Sequence, residues 1–145
     1  MLISGLAHNG ATGICKKTSM TVHQTEHALS AYDPKITHGA GIGVCYLGWA
    51  KAFTKEMAPK LAQFARYVFE ISVEDDLEAA IIGIERMESF LKTIGMPTTL
   101  RELGINASDL EAIADLTSAK GTRMVGLCAQ PLDRNDVLKV YKNCL

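Results

Sequence analysis

No single sign of charge prevails in this chain of 145 residues: 15 Lys and Arg stand against 16 Asp and Glu, a formal net charge of −1. The basic residues, Lys16, Lys17, Lys51, Lys55, Lys60 and Arg66 among them, are scattered rather than gathered into a stripe. A field able to hold a nucleic-acid backbone is therefore missing, and nucleic acid is excluded as a partner. No stretch approaches the roughly 20 uninterrupted apolar residues that would span a bilayer. The apolar residues 1–7 lack the basic lead and the length of a secretory signal. Four cysteines, Cys15, Cys45, Cys128 and Cys144, form no C-x-x-C pair, and a chain this size folds without staples. They read as reduced packing residues, and the chain as cytoplasmic. Repeats, low-complexity runs and flexible linkers are absent too, so 1–145 is expected to be a single domain.

What is present is a balance of 48% hydrophobic and 21% charged residues, enough for a packed core. Its periodicity is helical nearly throughout, with almost no strand-type alternation, which points to an all-α domain. Over residues 75–93 the apolar positions Leu77, Ala80, Ile81, Ile84, Met87 and Leu91 keep to one face. Acids Glu74, Asp75 and Asp76 suit that helix's start, and Gly95 with Pro97 ends it. A second helix is expected over 57–69, facing inward with Leu61, Phe64, Ala65, Val68 and Phe69; Pro59 fits only its first turn. Ser108 with Glu111 reads as a capping box before Leu110, Ile113, Ala114 and Leu116. Asp133 caps a last helix over 134–143, with Val137, Leu138 and Tyr141 facing in. Residues 118–131, holding Gly121, Gly126 and Pro131, read as a loop with a short helical turn. At the other end, Met1 leads straight into Leu2, Ile3, Leu6 and Ala7, as a chain entered in mid-helix would.

Three of the 4 histidines, His23, His27 and His38, cluster in one segment. If 18–31 is helical, His23 and His27 lie one turn apart on one face, and a turn at Asp33-Pro34 brings His38 back toward them. Converging imidazoles suit a borderline metal such as Fe²⁺ or Zn²⁺. The plainer reading is that each is a surface histidine or a satisfied core one. His23-Gln24-Thr25-Glu26-His27 also spells H-x-x-E-H, the inverted zinc-peptidase pattern in which the glutamate activates water. A glycine-rich segment, rather than a third acidic ligand, follows it closely. That segment, Gly39-Ala40-Gly41-Ile42-Gly43, follows no expected strand and lacks the G-x-G-x-x-G spacing of a nucleotide loop. Its glycines read as packing devices in a helix that continues through Val44, Leu47, Trp49 and Phe53.

The run His23-Gln24-Thr25-Glu26-His27-Ala28-Leu29-Ser30-Ala31, followed by His38-Gly39-Ala40-Gly41, closely resembles the histidine signature of the iron-containing alcohol dehydrogenases. Leu6-Ala7-His8-Asn9-Gly10 resembles that family's helix just upstream. Downstream, the segment from Gly95-Met96-Pro97 to Leu103-Gly104-Ile105 and the run Pro131-Leu132-Asp133-Arg134-Asn135-Asp136-Val137 resemble its later parts, so the likeness spans the chain in order. In that family an N-terminal α/β domain binds NAD(P), an all-helical C-terminal domain of the dehydroquinate synthase-like kind holds the metal, and the alcohol sits between them. The resemblance is to the latter part. The D-x-x-x-H motif that supplies an aspartate and the first histidine ligand is absent here, as are the phosphate loop and its strands.

By resemblance His23 and His38 are the last two metal ligands. His27 lines the pocket near the nicotinamide, either orienting substrate and carrying a proton or only packing against the cofactor, and His8 faces the same cleft. The loop at 33–37 runs one residue longer than in several members, which would shift His38 without removing it. The implied chemistry is metal-assisted hydride transfer between a small alcohol or aldehyde and NAD or NADP, with Fe²⁺ or Zn²⁺ as Lewis acid. Two histidines without the aspartate make a half-site, so the isolated chain is expected to be inactive and to bind metal weakly. The face around His8, His23, His27, His38 and the glycines would lie open and favour a homo-oligomer. A helical interaction module carrying idle histidines is the non-enzyme alternative.

Overall fold

The computed structural model describes residues 20–126 and 131–145. Among the described residues six α-helices run in chain order: α1 (Thr21–Tyr32), α2 (His38–Ala52), α3 (Ala58–Phe69), α4 (Asp76–Thr93), α5 (Leu110–Ser118) and α6 (Arg134–Lys142). Two single 3₁₀ turns, Arg101–Leu103 and Ala107–Asp109, lead into α5. Among the described residues the sole β-type pairing is one antiparallel bridge between Val125 and Leu132, so the expected all-α class is observed. None of these helices is long and apolar enough to cross a membrane.

α2 organises the packing, because it is apolar on both sides and a helix of that kind has to be surrounded. Val44 and Cys45 enter a core with Leu29 of α1, Ile113 of α5, and Val137 and Tyr141 of α6. Leu47 and Ala50 enter a second core with Leu61 of α3 and Ala80, Ile84 and Leu91 of α4. α3 and α4 form a tight hairpin that leaves no room for a side chain at Gly83, where a Cβ would lie 2.5 Å from that of Ala65. Their connection is gripped by Arg66, whose guanidinium donates to Val73 O at 2.9 and 3.0 Å and to Asp76 Oδ1 at 2.7 Å.

The expected inward faces are right in their centres and wrong at their edges. Val68, Ile81 and Leu116 are exposed, while Ala62, Ala79 and Gly83 are buried. For Val68 and Ile81 the reason is close packing: where α3 and α4 touch through small residues, the contact line follows Ala and Gly, and the larger side chains flank it. The capping box before α5 is also displaced. Asn106 and Asp109 form it, two residues ahead of the Ser108 and Glu111 expected from the pattern, because the chain first makes a 3₁₀ turn there. Asp133 and Asp136 do cap α6 reciprocally. Beyond the end of α5 at Ser118, residues 119–126 run as a series of turns through Ala119, Lys120 and Gly121, all at positive φ, and hold no helix.

Asp75 caps α4, its Oδ1 accepting from Glu78 N–H at 2.8 Å. Asp75→Ala should lower stability by about 1 kcal/mol in a denaturant melt. A melt unchanged by the substitution would show that the first turn of α4 draws its stability elsewhere.

Candidate histidine site

The first hairpin builds the site. α1 presents Val22, Thr25, Glu26 and Leu29 at the spacing of an inward stripe, and His23, His27 and Ser30 on the neighbouring stripe. α1 stops at Asp33, whose N–H still bonds Leu29 O and whose Oδ1 accepts from Lys35 N–H at 2.9 Å. That turn, with Ile36 buried beneath it, returns the chain so that α2 begins at His38. His38 thereby reaches α1, its Nδ1 meeting Glu26.

The three rings meet in a triangle. Their centroids are 6.3 Å apart for His23 and His27, 5.4 Å for His23 and His38, and 5.4 Å for His27 and His38. His27 and His38 are exposed, the latter with 53% of its side chain accessible. One ligand atom from each of Glu26, His27 and His38 falls within 4.8 Å of the others. His8 lies outside the described residues. Beside His27 a depression of about 250 Å³ is lined by Gln24, Ala31, Leu116, Thr117 and Arg123. Gln24 Oε1 accepts from Gly126 N–H at 3.1 Å, tying α1 to the far loop at this edge.

Behind the rings lies a buried carboxylate. Glu26 is wholly inaccessible, and both its oxygens are engaged: Oε1 with the Ser30 hydroxyl at 2.5 Å, Oε2 with Nδ1 of His38. Gly41 makes room for it, since a Cβ there would lie 2.7 Å from Glu26 Cγ. The sequence pattern offers this carboxylate only as the water-activating glutamate of H-x-x-E-H, whereas its place on the inward stripe of α1 marks it as a buried, bonded group. Enclosed in this way, Glu26 is not placed to activate water as the H-x-x-E-H reading requires.

Gly41, and Gly48 further along α2, are packing devices as expected and lie off the exposed histidine face, whereas Gly39 is exposed. Gly41 and Gly48 are buried between helices, and Gly39 alone of the run stands clear of other atoms. Cys45 and Cys144 are free and buried; burial pushes both thiols up, Cys144 to about 12, which leaves them inert. Cys15 and Cys128 lie outside the described residues.

Fold and site together define an all-helical domain whose first hairpin gathers three imidazoles. The chain belongs to the Fe-containing alcohol dehydrogenase family: the model of that family's C-terminal part matches residues 5–145. It is 32% identical over 143 residues to a probable NADH-dependent butanol dehydrogenase 1 of Bacillus subtilis, covering 97% of this chain and 36% of that protein. It is 30% identical over 146 residues to NADH-dependent butanol dehydrogenase A of Clostridium acetobutylicum, covering 98% of this chain and 36% of the relative. Among solved structures, NADH-dependent butanol dehydrogenase A of Thermotoga maritima superposes with a TM-score of 0.85 at 27% identity, covering 96% of this chain and 36% of that one. The chain thus spans little more than a third of the length of these relatives, which are oxidoreductases, and it corresponds to their C-terminal helical part.

Proposed function

We propose that this chain is the metal-holding helical part of an NAD(H)-linked enzyme interconverting short alcohols and aldehydes, with His23 and His38 as two of the metal ligands. The observation that carries the reading is the convergence of the His23, His27 and His38 rings at one exposed edge. The donor set fits Fe²⁺ or Zn²⁺, because imidazole nitrogen suits both and two helices supply it from two directions. A bound ion there would polarise the oxygen of the alcohol or aldehyde as a Lewis acid.

The chain's own residues do the rest of the work. His23 and His38 would hold that ion, and His27, exposed beside them, orients the substrate or passes its proton toward solvent. His8 belongs to the same cleft in this reading. The remaining ligands and the nicotinamide, NAD or NADP, come from an N-terminal nucleotide-binding domain of the family's kind. On this reading 1–145 is one domain of a cytoplasmic enzyme, and the open histidine edge pairs with that domain or with a second copy of the chain.

Anaerobic Fe²⁺ and Zn²⁺ titrations of the 145-residue chain should show weak uptake that falls further in both His23→Ala and His38→Ala. The same chain, given either metal, NADH and butyraldehyde, should oxidise no NADH. Uptake indifferent to both substitutions would remove the ligand assignment and favour an interaction module with idle histidines. Appreciable NADH oxidation would refute the half-site.

A further inference from the structure

We infer that Glu26 is a positioning residue for His38: it holds the imidazole in the tautomer whose outward nitrogen, Nε2, keeps its lone pair for a metal ion. The inference rests on the metal-holding reading above and extends it to a residue that touches neither substrate nor cofactor.

A carboxylate has only acceptor oxygens, and at Glu26 each has one neighbour: the Ser30 hydroxyl, which donates to Oε1 at 2.5 Å, and Nδ1 of His38, which meets Oε2. A nitrogen facing a carboxylate oxygen at hydrogen-bonding range carries the proton. In a neutral ring the proton on Nδ1 leaves Nε2 unprotonated, and Nε2 is the nitrogen turned away from Glu26. Metal-bound histidines characteristically donate their second N–H to a carboxylate or carbonyl, which fixes the ring and raises its basicity.

The surroundings make this hold rigid. Glu26 has no accessible surface, and Gly41 opposite it leaves no slack, its absent Cβ falling 2.7 Å from Cγ and 3.1 Å from Oε1. Ser30 stands one turn beyond Glu26 on α1, and its hydroxyl also lies 3.3 Å from Ile36 O in the turn that delivers His38. Carboxylate, hydroxyl and turn therefore fix the same ring from both of its neighbouring elements. Burying a carboxylate costs stability unless it is fully bonded, which argues that its place here serves orientation rather than packing.

The test uses the whole chain and two variants. Glu26→Met keeps the length of the side chain and removes both carboxylate oxygens, leaving only a weakly accepting thioether; Glu26→Gln keeps the shape and one oxygen acceptor but not the charge. The first readout needs no metal. In ¹⁵N spectra of ring-labelled protein, taken well above the ordinary histidine pKa of about 6.5, His38 should appear as the Nδ1–H tautomer and lose that preference in Glu26→Met. The second readout is zinc affinity, which should fall roughly 10–100-fold in Glu26→Met and less in Glu26→Gln. In a His38→Ala background the Met substitution should cost no further affinity. Should Glu26→Met fail to fold, Glu26→Gln carries both readouts, with a smaller drop in affinity expected. An unchanged His38 tautomer, or wild-type zinc affinity in the folded variants, overturns the inference. A wild-type chain that takes up no zinc yet shows the tautomer shift would refute the metal reading alone.

Discussion

Gly48→Val should destabilise the domain by about 3 kcal/mol or more, the upper end of what overpacking costs, and lower its melting temperature by roughly 3 °C for each kcal/mol in a domain of this size. A Cβ at Gly48 would sit 2.6 Å from Val140 O, 2.7 Å from Cys144 Sγ and 3.0 Å from Cys144 Cβ. The nearest atom is backbone oxygen of α6, so relief requires moving one helix rather than turning a side chain. α2 starts at His38, and a shift of α2 against α6 also moves the histidine hairpin relative to its support. Gly39→Ala is the control within the same helix. Nothing lies within 4 Å of a Cβ there, so replacing glycine should raise stability by up to about 1 kcal/mol. Thermal and urea melts of the two variants separate these outcomes. A Gly48→Val protein melting like the wild type would mean that α2 and α6 do not meet at this point.

The contrast between those two glycines marks how far sequence reading reaches. Composition and periodicity are enough for the helices, because most of the longer ones repeat their apolar residues at helical spacing, and stop signals such as Asp33-Pro34 after α1 and Gly95 with Pro97 after α4 bound some of them. The meeting of His23, His27 and His38 was legible for the same reason: one helical turn and one Asp-Pro turn are local events. Which glycine is indispensable was not legible, since Gly39 and Gly48 differ only in what lies across from them, and that is set by α6, some ninety residues along. Ile81 and Leu116 were misplaced for a similar reason. A helical stripe is about 100° wide, and its edge is drawn by the partner helix rather than by the residues on it. Glu26 was visible as an acid on an inward stripe, but its partner Nδ1 belongs to the next helix. The assignment of His23 and His38 as ligands, and of His27 and His8 to the pocket, rests on the family resemblance and on the ring geometry, and His8 lies outside the described residues.

The last helix bears on the histidines through one tyrosine, and Tyr141→Ala should cost about 3–5 kcal/mol, the range for deleting a buried aromatic. Tyr141 is wholly buried, donates its hydroxyl to Thr25 O at 2.8 Å and lies 2.8 Å from Thr117 Oγ1. Thr25 stands between His23 and His27, so the hydroxyl pins the backbone that carries both rings. Tyr141→Phe keeps the packing and should cost only about 1 kcal/mol, because Thr117 still donates to Ile113 O at 2.7 Å. Burial, with Cys45 nearby, pushes the phenol of Tyr141 well above its ordinary value, and burial raises both Cys45 and Cys144. An acid whose pKa is raised by folding contributes stability below its unfolded value and loses it as pH climbs toward the folded one. The domain should therefore weaken progressively above the ordinary thiol and phenol values of about 8.5 and 10. Tyr141→Phe should flatten the upper part of that loss, with the thiol part remaining. Chemical denaturation repeated across alkaline pH would show it, and equal slopes in the two proteins would mean that Tyr141 ionises in the folded state as readily as in the unfolded chain.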